Sequence, residues 1–388
     1  MNKRSLSNLS LLVMTTLLLS GCWDVTEPQR MYYINAIGVD FKDNQYEVYM
    51  QMLNLDALAK SEQPNPDVAP AEVGVAKGRT IEEAIYNLYR ASDQQIFWGH
   101  MRYLIFSENA LKNERSIPVM DTFIRFRETR YQIWVYCTND PIKDILLITP
   151  ILKGTFTSSK LSNPTNTFEQ ESFILPQNLR EIMIALNEPN HEVSLPYVTV
   201  KKDWETSIKP EQETTFSGIG VLSKDGLKGF IKETAARGNQ WMHDKTNRGE
   251  VTFKLESEES DFLTVDIDKL DVTVKPIIKS KDQVTFDIEI NLNATLNGFK
   301  GKVVSHQIRE NIIKQVKKEV METYEEGLKI DTDIYRLSEY LYRKNVKVWK
   351  NLEKDGKIPL TKDSISKLSV HVIKINPGRK TFAETIKE

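Results

Sequence analysis

Apolar residues fill nearly every position from 9 to 19, with only Ser10, Thr15 and Thr16 interrupting. That run suits the core of a signal peptide and falls short of the ~20 residues a membrane span needs. Beyond it the pattern breaks into short periodic stretches. Residues 34–41 and 46–53 predict a strand pair joined by a turn at 42–45, with Tyr46, Val48, Met50 and Met52 on one face of the second strand. Residues 61–70, with three prolines, read as a loop, and 72–76 as a short strand. A helix is predicted where Thr80 and Glu83 form a capping box ahead of Ile81, Ala84, Ile85 and Leu88. Strands are expected at 101–106 and 131–137. Ser116 reads as the cap of a helix through Phe123 and Ile124, and Asp140-Pro141 opens another helix. Residues 154–166, rich in Ser, Thr and Asn, read as a loop or linker. They precede a helix at 179–186 and an extended stretch at 194–200.

The second half is more regular. A hairpin is predicted over 216–231 around Lys224-Asp225-Gly226, followed by a helix over 233–242. Residues 251–255, 263–274 and 284–296 alternate with period two. Val284, Phe286, Ile288, Ile290 and Leu292 line one face against Thr285, Asp287, Glu289 and Asn291. Ile308, Ile312, Val316, Val320 and Tyr324 recur every fourth residue down a long helix ending near Gly327, the natural cover for that sheet. Asp331-Thr332-Asp333 caps a further helix that buries Ile334, Leu337 and Leu341, and 368–375 is a last strand.

Strands in runs with helices inserted, rather than regular βαβ alternation, predict a multi-domain α+β protein of mostly antiparallel sheets flanked by helices. The expected organisation is a signal peptide at 1–21, a mixed α/β domain at 22–153 and a middle domain or linker at 154–215. The polar, charged stretch 201–215 reads as a boundary. A C-terminal α+β domain then fills 216–388, with its long amphipathic helix near 304–327.

The apolar run at the start is flanked by Lys3 and Arg4 on one side and by Leu19-Ser20-Gly21-Cys22 on the other. Small residues and a Cys closing a short apolar core form the pattern of a lipoprotein signal. Cleavage would leave Cys22 first, its thiol carrying a diacylglycerol, and two acyl chains hold a soluble domain stably on a bilayer. The competing readings are an ordinary signal peptide with an incidental Cys and an uncleaved anchor. No second apolar run reaches spanning length, so the remainder is expected to be soluble.

Removing residues 1–21 takes away two basic residues and no acidic one, leaving 50 against 54 and a formal charge of −4. No basic tail or patch stands out, so nucleic acid is not an expected partner. With Cys22 acylated, Cys137 has no cysteine partner. It lies in an apolar strand, where a buried, inert thiol is expected rather than a nucleophile.

Candidate chemistry is sparse. None of the five histidines has zinc-ligand spacing, and Asp331-Thr332-Asp333 lacks the glycine and closing Glu of a calcium loop. No P-loop, dinucleotide or G-x-S-x-G motif is present, and Gly218-Ile219-Gly220 reads as close backbone packing within a strand. No metal, cofactor or enzymatic activity is expected.

One segment is unusual. Arg125, Arg127, Glu128 and Arg130 crowd the handover from a helix to a strand, with His100 after Trp98-Gly99 in the same domain. Two readings stand. One is a salt-bridge knot closing the junction, with Arg125 and Arg130 as braces and His100 structural. The other is a partner-docking surface, since Arg is enriched at interfaces.

Several stretches together resemble the Ger(x)C family, the lipoprotein C subunits of nutrient germinant receptors in spore-forming bacteria. They are Gly21-Cys22-Trp23-Asp24 with Glu27, Ala36-Ile37-Gly38-Val39-Asp40, Gly78-Arg79-Thr80-Ile81-Glu82-Glu83-Ala84, Gly99-His100, and Arg125 with Glu128-Thr129-Arg130. Leu195-Pro196, Leu227-Lys228-Gly229, Glu233-Thr234 and Trp349 follow in order. Two departures concern subtype and partner set. Phe126-Arg127 stands where the family often has Asp-Pro, and Asn297-Gly298-Phe299-Lys300 offers no Glu before the long helix. The resemblance implies three mixed α/β domains and a non-enzymatic role on the outer face of the spore inner membrane, beside two polytopic membrane subunits. The receptor would sense amino acids, sugars or nucleosides and trigger release of ions and dipicolinate. Whether this subunit touches the germinant is left open. Two other classes of lipoprotein compete with this reading. A transporter's substrate-binding lipoprotein needs two doubly wound lobes, and an envelope enzyme needs a catalytic constellation.

Overall fold

The computed structural model describes residues 31–53, 71–207, 210–254, 262–280, 283–298, 303–378 and 386–387. The signal peptide, Cys22, the Trp23-Asp24 and Glu27 motif residues, the 61–70 loop and Phe299-Lys300 lie outside them.

The alternating start of the chain forms β1 (Met31–Lys42) and β2 (Gln45–Leu53), an antiparallel pair that continues into β3 (Ala71–Gly78). Thr80 accepts the Glu83 N–H at 3.2 Å and starts α1 (Ile81–Arg90), whose Ile81, Ala84, Ile85 and Leu88 are buried as expected. Glu83 reaches back one residue further than a capping box requires, taking the Arg79 N–H at 2.7 Å. There follow β4 (Gln95–Phe97), β5 (Tyr103–Ser107), α2 (Glu108–Leu111), α3 (Ser116–Arg125), β6 (Trp134–Thr138), α4 (Ile142–Leu147), α5 (Pro164–Gln170) and α6 (Leu179–Asn187). The first sheet closes with β7 (Glu192–Glu205), β8 (Pro210–Ser223) and β9 (Gly226–Lys232).

These nine strands make one mixed sheet in the order β3-β2-β1-β5-β6-β7-β8-β9, with β4 beside the start of β1. Its flanks are antiparallel, as the hairpin patterns predicted. Its centre is parallel, because β1, β5, β6 and β7 run the same way and are joined through helices. That centre is buried on both faces, which explains why β1 and β5 are apolar almost throughout instead of alternating.

Three local expectations are corrected. Residues 201–215 are not an unpaired linker: β7 and β8 pair from Glu192↔Ser223 out to Glu205↔Pro210, so the charged stretch is the exposed end of a long antiparallel arm. Ser116 is the first residue of α3 rather than its cap, and its hydroxyl is buried without a partner. Residues 154–166 contain a 3-10 turn and the start of α5, which opens on Pro164. Gly218 and Gly220 are close-packing positions as read. A Cβ on Gly218 would meet the Ile231 carbonyl oxygen at 2.4 Å, and one on Gly220 would meet the Cys137 Sγ at 2.7 Å.

The second half builds β10 (Gly249–Lys254), β11 (Phe262–Ser280) and β12 (Gln283–Leu296). After them come β13 (Val303–Val304), α7 (Ser305–Lys329), α8 (Leu337–Lys344), α9 (Val346–Leu352), β14 (Ile365–Asn376) and β15 (Ile386–Lys387). A four-stranded sheet runs β10-β11-β12-β14, and β13 pairs β15. All five residues of the period-four stripe on α7 are fully buried in the same core as Phe286, Ile288, Ile290 and Leu292. The helix ends at Lys329, close to Gly327 as expected; a Cβ on Gly327 would press on Ile334 at 3.0 Å. Residues 233–242 form 3-10 turns rather than an α-helix, because their backbone follows α7 closely. A Cβ on Gly238 would lie 2.2 Å from the Glu319 carbonyl oxygen.

Candidate functional site

Three gatherings of polar side chains among the described residues bear on function: a knot under α7, a junction between the two halves, and a rim on one side of the first sheet.

The knot centres on Glu319, buried one residue before Val320 on α7. Its carboxylate accepts from Trp241 Nε1 at 2.7 Å, Arg237 Nε at 3.1 Å and Gln315 Nε2 at 2.9 Å. Arg237 continues to Glu250 Oε1 at 3.2 Å, and the Gly238 N–H donates to Thr323 Oγ1 at 2.9 Å. Every partner is satisfied within the protein, so the group is a clasp that fixes the 3-10 segment to α7.

At the junction, Glu192 opens β7 and takes Lys357 Nζ at 2.9 Å and the Asp333 N–H at 2.8 Å. Asp333 caps α8 through the Leu337 and Ser338 N–H groups at 2.8 and 2.7 Å, which realises the cap read from 331–333. Burial pushes the Glu192 carboxyl above its usual range despite Lys357, and burial also raises that of Asp333. Arg336, in a left-handed conformation, donates to the Glu192 carbonyl and pairs with Glu339 at 2.7 Å. Beside these residues lies a cleft of about 420 Å³ lined by Glu188, Val193, Met242, His243, Arg336 and Tyr340, among others. Enclosure of the His243 ring nitrogen, then nearby Lys245, lowers its pKa to about 4, and Nε2 has no partner.

The rim is where the arginine segment and His100 meet. Parallel pairing makes β1, β4, β5 and β6 start on the same side of the sheet, with β4 beginning beside Met31 and β5 and β6 beginning further along, level with Ala36, through Met31↔Gln95, Ala36↔Tyr103 and Tyr103↔Trp134. His100 packs edge-on against Tyr33 at 5.2 Å and beside Phe97 at 5.6 Å. Its pKa is lowered by burial first, then by Arg102 and Arg130. The expected salt-bridge knot does not form. Arg125 pairs only with Asp121 of its own helix, at 2.6 Å, and among the described residues Arg127, Glu128 and Arg130 make no hydrogen bond or ion pair. All four are exposed. Aromatic packing and backbone bonds close the junction instead. Phe126 lies 5.2 Å from the Trp98 ring, and the Thr129 hydroxyl bonds the Phe123 carbonyl oxygen and, at 3.0 Å, that of Phe126. Local chain geometry thus does the work that the charges were expected to do.

Cys137 is fully buried and its thiol is pushed up to about 12 by that burial, so the inert reading stands. Among the described residues no three His, Cys, Asp or Glu side chains are arranged to hold a metal ion, and no helix is long and apolar enough to cross a membrane. Sequence reading missed Glu192, Lys357 and the Glu319 clasp. Glu319 alone left a signal, a carboxylate flanking the apolar stripe of α7.

The described residues thus form an α+β protein with two main sheets, whose polar groups clasp its own elements or lie open on one rim. Two family descriptions match it in tandem: the spore germination protein N-terminal domain over 24–200, and the spore germination B3/GerAC-like C-terminal domain over 217–375. The chain belongs to this family of spore germination proteins. Among its relatives in Bacillus subtilis (strain 168) is spore germination protein KC, 23% identical over 367 residues that cover 88% of each chain. Spore germination protein B3 is 21% identical over 301 residues, covering 76% of this chain and 75% of its own. The crystal structure of the GerBC protein shares the fold with a TM-score of 0.53 at 14% identity, over 88% of this chain and 96% of that one.

Proposed function

We propose that the protein is the lipid-anchored C subunit of a nutrient germinant receptor, held on the outer face of the spore inner membrane beside two polytopic subunits. It has no catalytic step and takes part in nutrient sensing by assembly. The observation that carries this reading is the tandem match of both family domains in order along one chain, covering 24–200 and 217–375. The signal-peptide pattern ending in Gly21-Cys22 supports the anchor, with Cys22 taking the diacylglycerol. Organisation into a first domain at 22–153, a middle segment at 154–215 and a C-terminal domain at 216–388 remains part of this proposal.

Fractionation of spores carrying Cys22→Ala tests the anchor. The variant is expected to leave the membrane fraction and nutrient germination to slow. Equal membrane retention of variant and wild type would overturn the reading.

A further inference from the structure

We infer that the end of the first sheet where β1, β4, β5 and β6 begin rests on an anionic phospholipid surface, with Arg102, Arg127, Arg130 and Arg180 against headgroup phosphates and Tyr131 at the interface. This rests on the proposed anchor at Cys22 and adds an orientation to it.

Tether length is the first argument. Nine peptide steps separate Cys22 from Met31 and reach at most roughly 32 Å when fully extended. The eleven steps of β1 itself cover roughly 36 Å. A tether leaving at Met31 would have to run at full extension to bring the opposite end of β1, at Lys42, down to the bilayer. The end where β1 begins is within easy reach.

Surface chemistry is the second. Among the described residues the side chains of Arg102, Arg127, Arg130 and Arg180 form no hydrogen bond or ion pair, and all four are exposed. Arg180 joins the rim because its N–H donates to the Tyr131 carbonyl oxygen at 3.1 Å. The exposed carboxylates in this set are Asp93, just before β4, and Glu128. The rim is thus net positive on a chain whose part from Cys22 onward is net negative. An anionic surface attracts this end and repels the remainder, by roughly fivefold in affinity for each basic residue within a screening length. Tyr131 is 56% exposed beside these arginines, and aromatic side chains with a polar tip favour the headgroup level. Next to them a polar cleft of about 490 Å³ is lined by Arg102, Gln132, Trp134, Thr157, Asn163 and Asn178, among others. Its unpaired guanidinium and its hydroxyl and amide groups suit a phosphate bearing a polyol headgroup. A protein partner needs none of these features to lie on the same side of the sheet as the tether exit, so the lipid surface is favoured.

The full acylated chain, reconstituted in phosphatidylglycerol-containing vesicles or in phosphatidylcholine vesicles, tests this. Gln132→Cys and Asn139→Cys bracket the two ends of β6, and buried Cys137 does not compete for label. The label at Gln132→Cys should be quenched by headgroup spin-labelled lipid in anionic vesicles, and the label at Asn139→Cys should not. Adding Arg127→Glu with Arg130→Glu should remove most of that quenching while flotation persists. Quenching alike at both positions, or insensitivity to lipid charge and charge reversal, would overturn the orientation. So would protection of Gln132→Cys only when the polytopic subunits are co-reconstituted, which would make the rim a protein interface. Flotation reads the anchor separately. If Cys22→Ala floats as well as wild type, the anchor reading falls and the orientation with it.

Discussion

Lys357 Nζ lies 2.9 Å from Glu192 Oε1, joining the first residue of β7 to the segment beyond α9. The Glu192 side chain is almost wholly buried, and its other oxygen already holds the Asp333 N–H. Removing the ammonium would leave that carboxylate in a low-dielectric site without its counter-charge. Lys357→Met is expected to cost about 3 kcal/mol in denaturant unfolding. Glu192→Gln with Lys357→Met should cost clearly less than the two single changes added together, since no charge is then stranded. Simple additivity would mean that the pair does not couple the halves.

The Glu319 clasp makes a parallel claim inside the second half. Glu319→Ala strands the Trp241 N–H and part of the Arg237 guanidinium, both packed under α7. A loss of about 3 kcal/mol is expected, with the signature of lost tertiary packing around Trp241. Gly238→Ala should be comparably damaging, because its Cβ would collide with the backbone at Glu319. Near-UV circular dichroism and chemical unfolding check both. A loss within 0.5 kcal/mol (roughly the range of ordinary surface changes) would remove the clasp from the account.

His243 predicts a pH dependence. Folded, it titrates near 4; unfolded, it titrates near the ordinary 6.5. Between these values the unfolded chain binds the extra proton, so stability is full above about pH 6.5 and falls as the pH drops toward 4. The gap corresponds to at most about 3 kcal/mol, and partial exposure of the ring reduces it. His243→Gln should flatten the slope of stability against pH between 6.5 and 4. Parallel curves for variant and wild type would place the titration elsewhere.

The arginine segment is expected to be nearly silent in stability. Arg127→Ala and Arg130→Ala each remove a side chain with no hydrogen bond or ion pair among the described residues. Arg125→Ala removes only an exposed pair within one helix. Each melting temperature should stay within about 1–2 °C of wild type, whereas Phe126→Ala, which uncovers Trp98, should lower it by several degrees. A large drop for Arg130→Ala alone would restore the bracing role that the sequence suggested.

Periodicity carried most of the legible structure. The stripe on α7 and the alternation of β12 were readable because each element has one wet face, so burial imposes a period. The centre of the first sheet was harder. β1 and β5 are covered on both sides, and an apolar run says nothing of which strand lies beside which or in what direction. The pairing of the arm at 201–215 left no strand signal for the opposite reason: its exposed ends carry charged residues on both faces. Arg125, Glu128 and Arg130 invited a salt-bridge reading because adjacency in sequence resembles adjacency in space. The backbone at Phe126 and Thr129 instead points them outward. Glu192 and Lys357 lie 165 residues apart and no local pattern links them.

Co-purification from detergent-solubilised spore membranes tests the central claim most directly. An affinity-tagged form of this chain, expressed in place of the native one, should bring down two polytopic membrane proteins in constant proportion. Spores lacking the chain should lose their response to at least one nutrient. Recovery of the chain alone under conditions that keep other membrane complexes intact would contradict its place in a receptor.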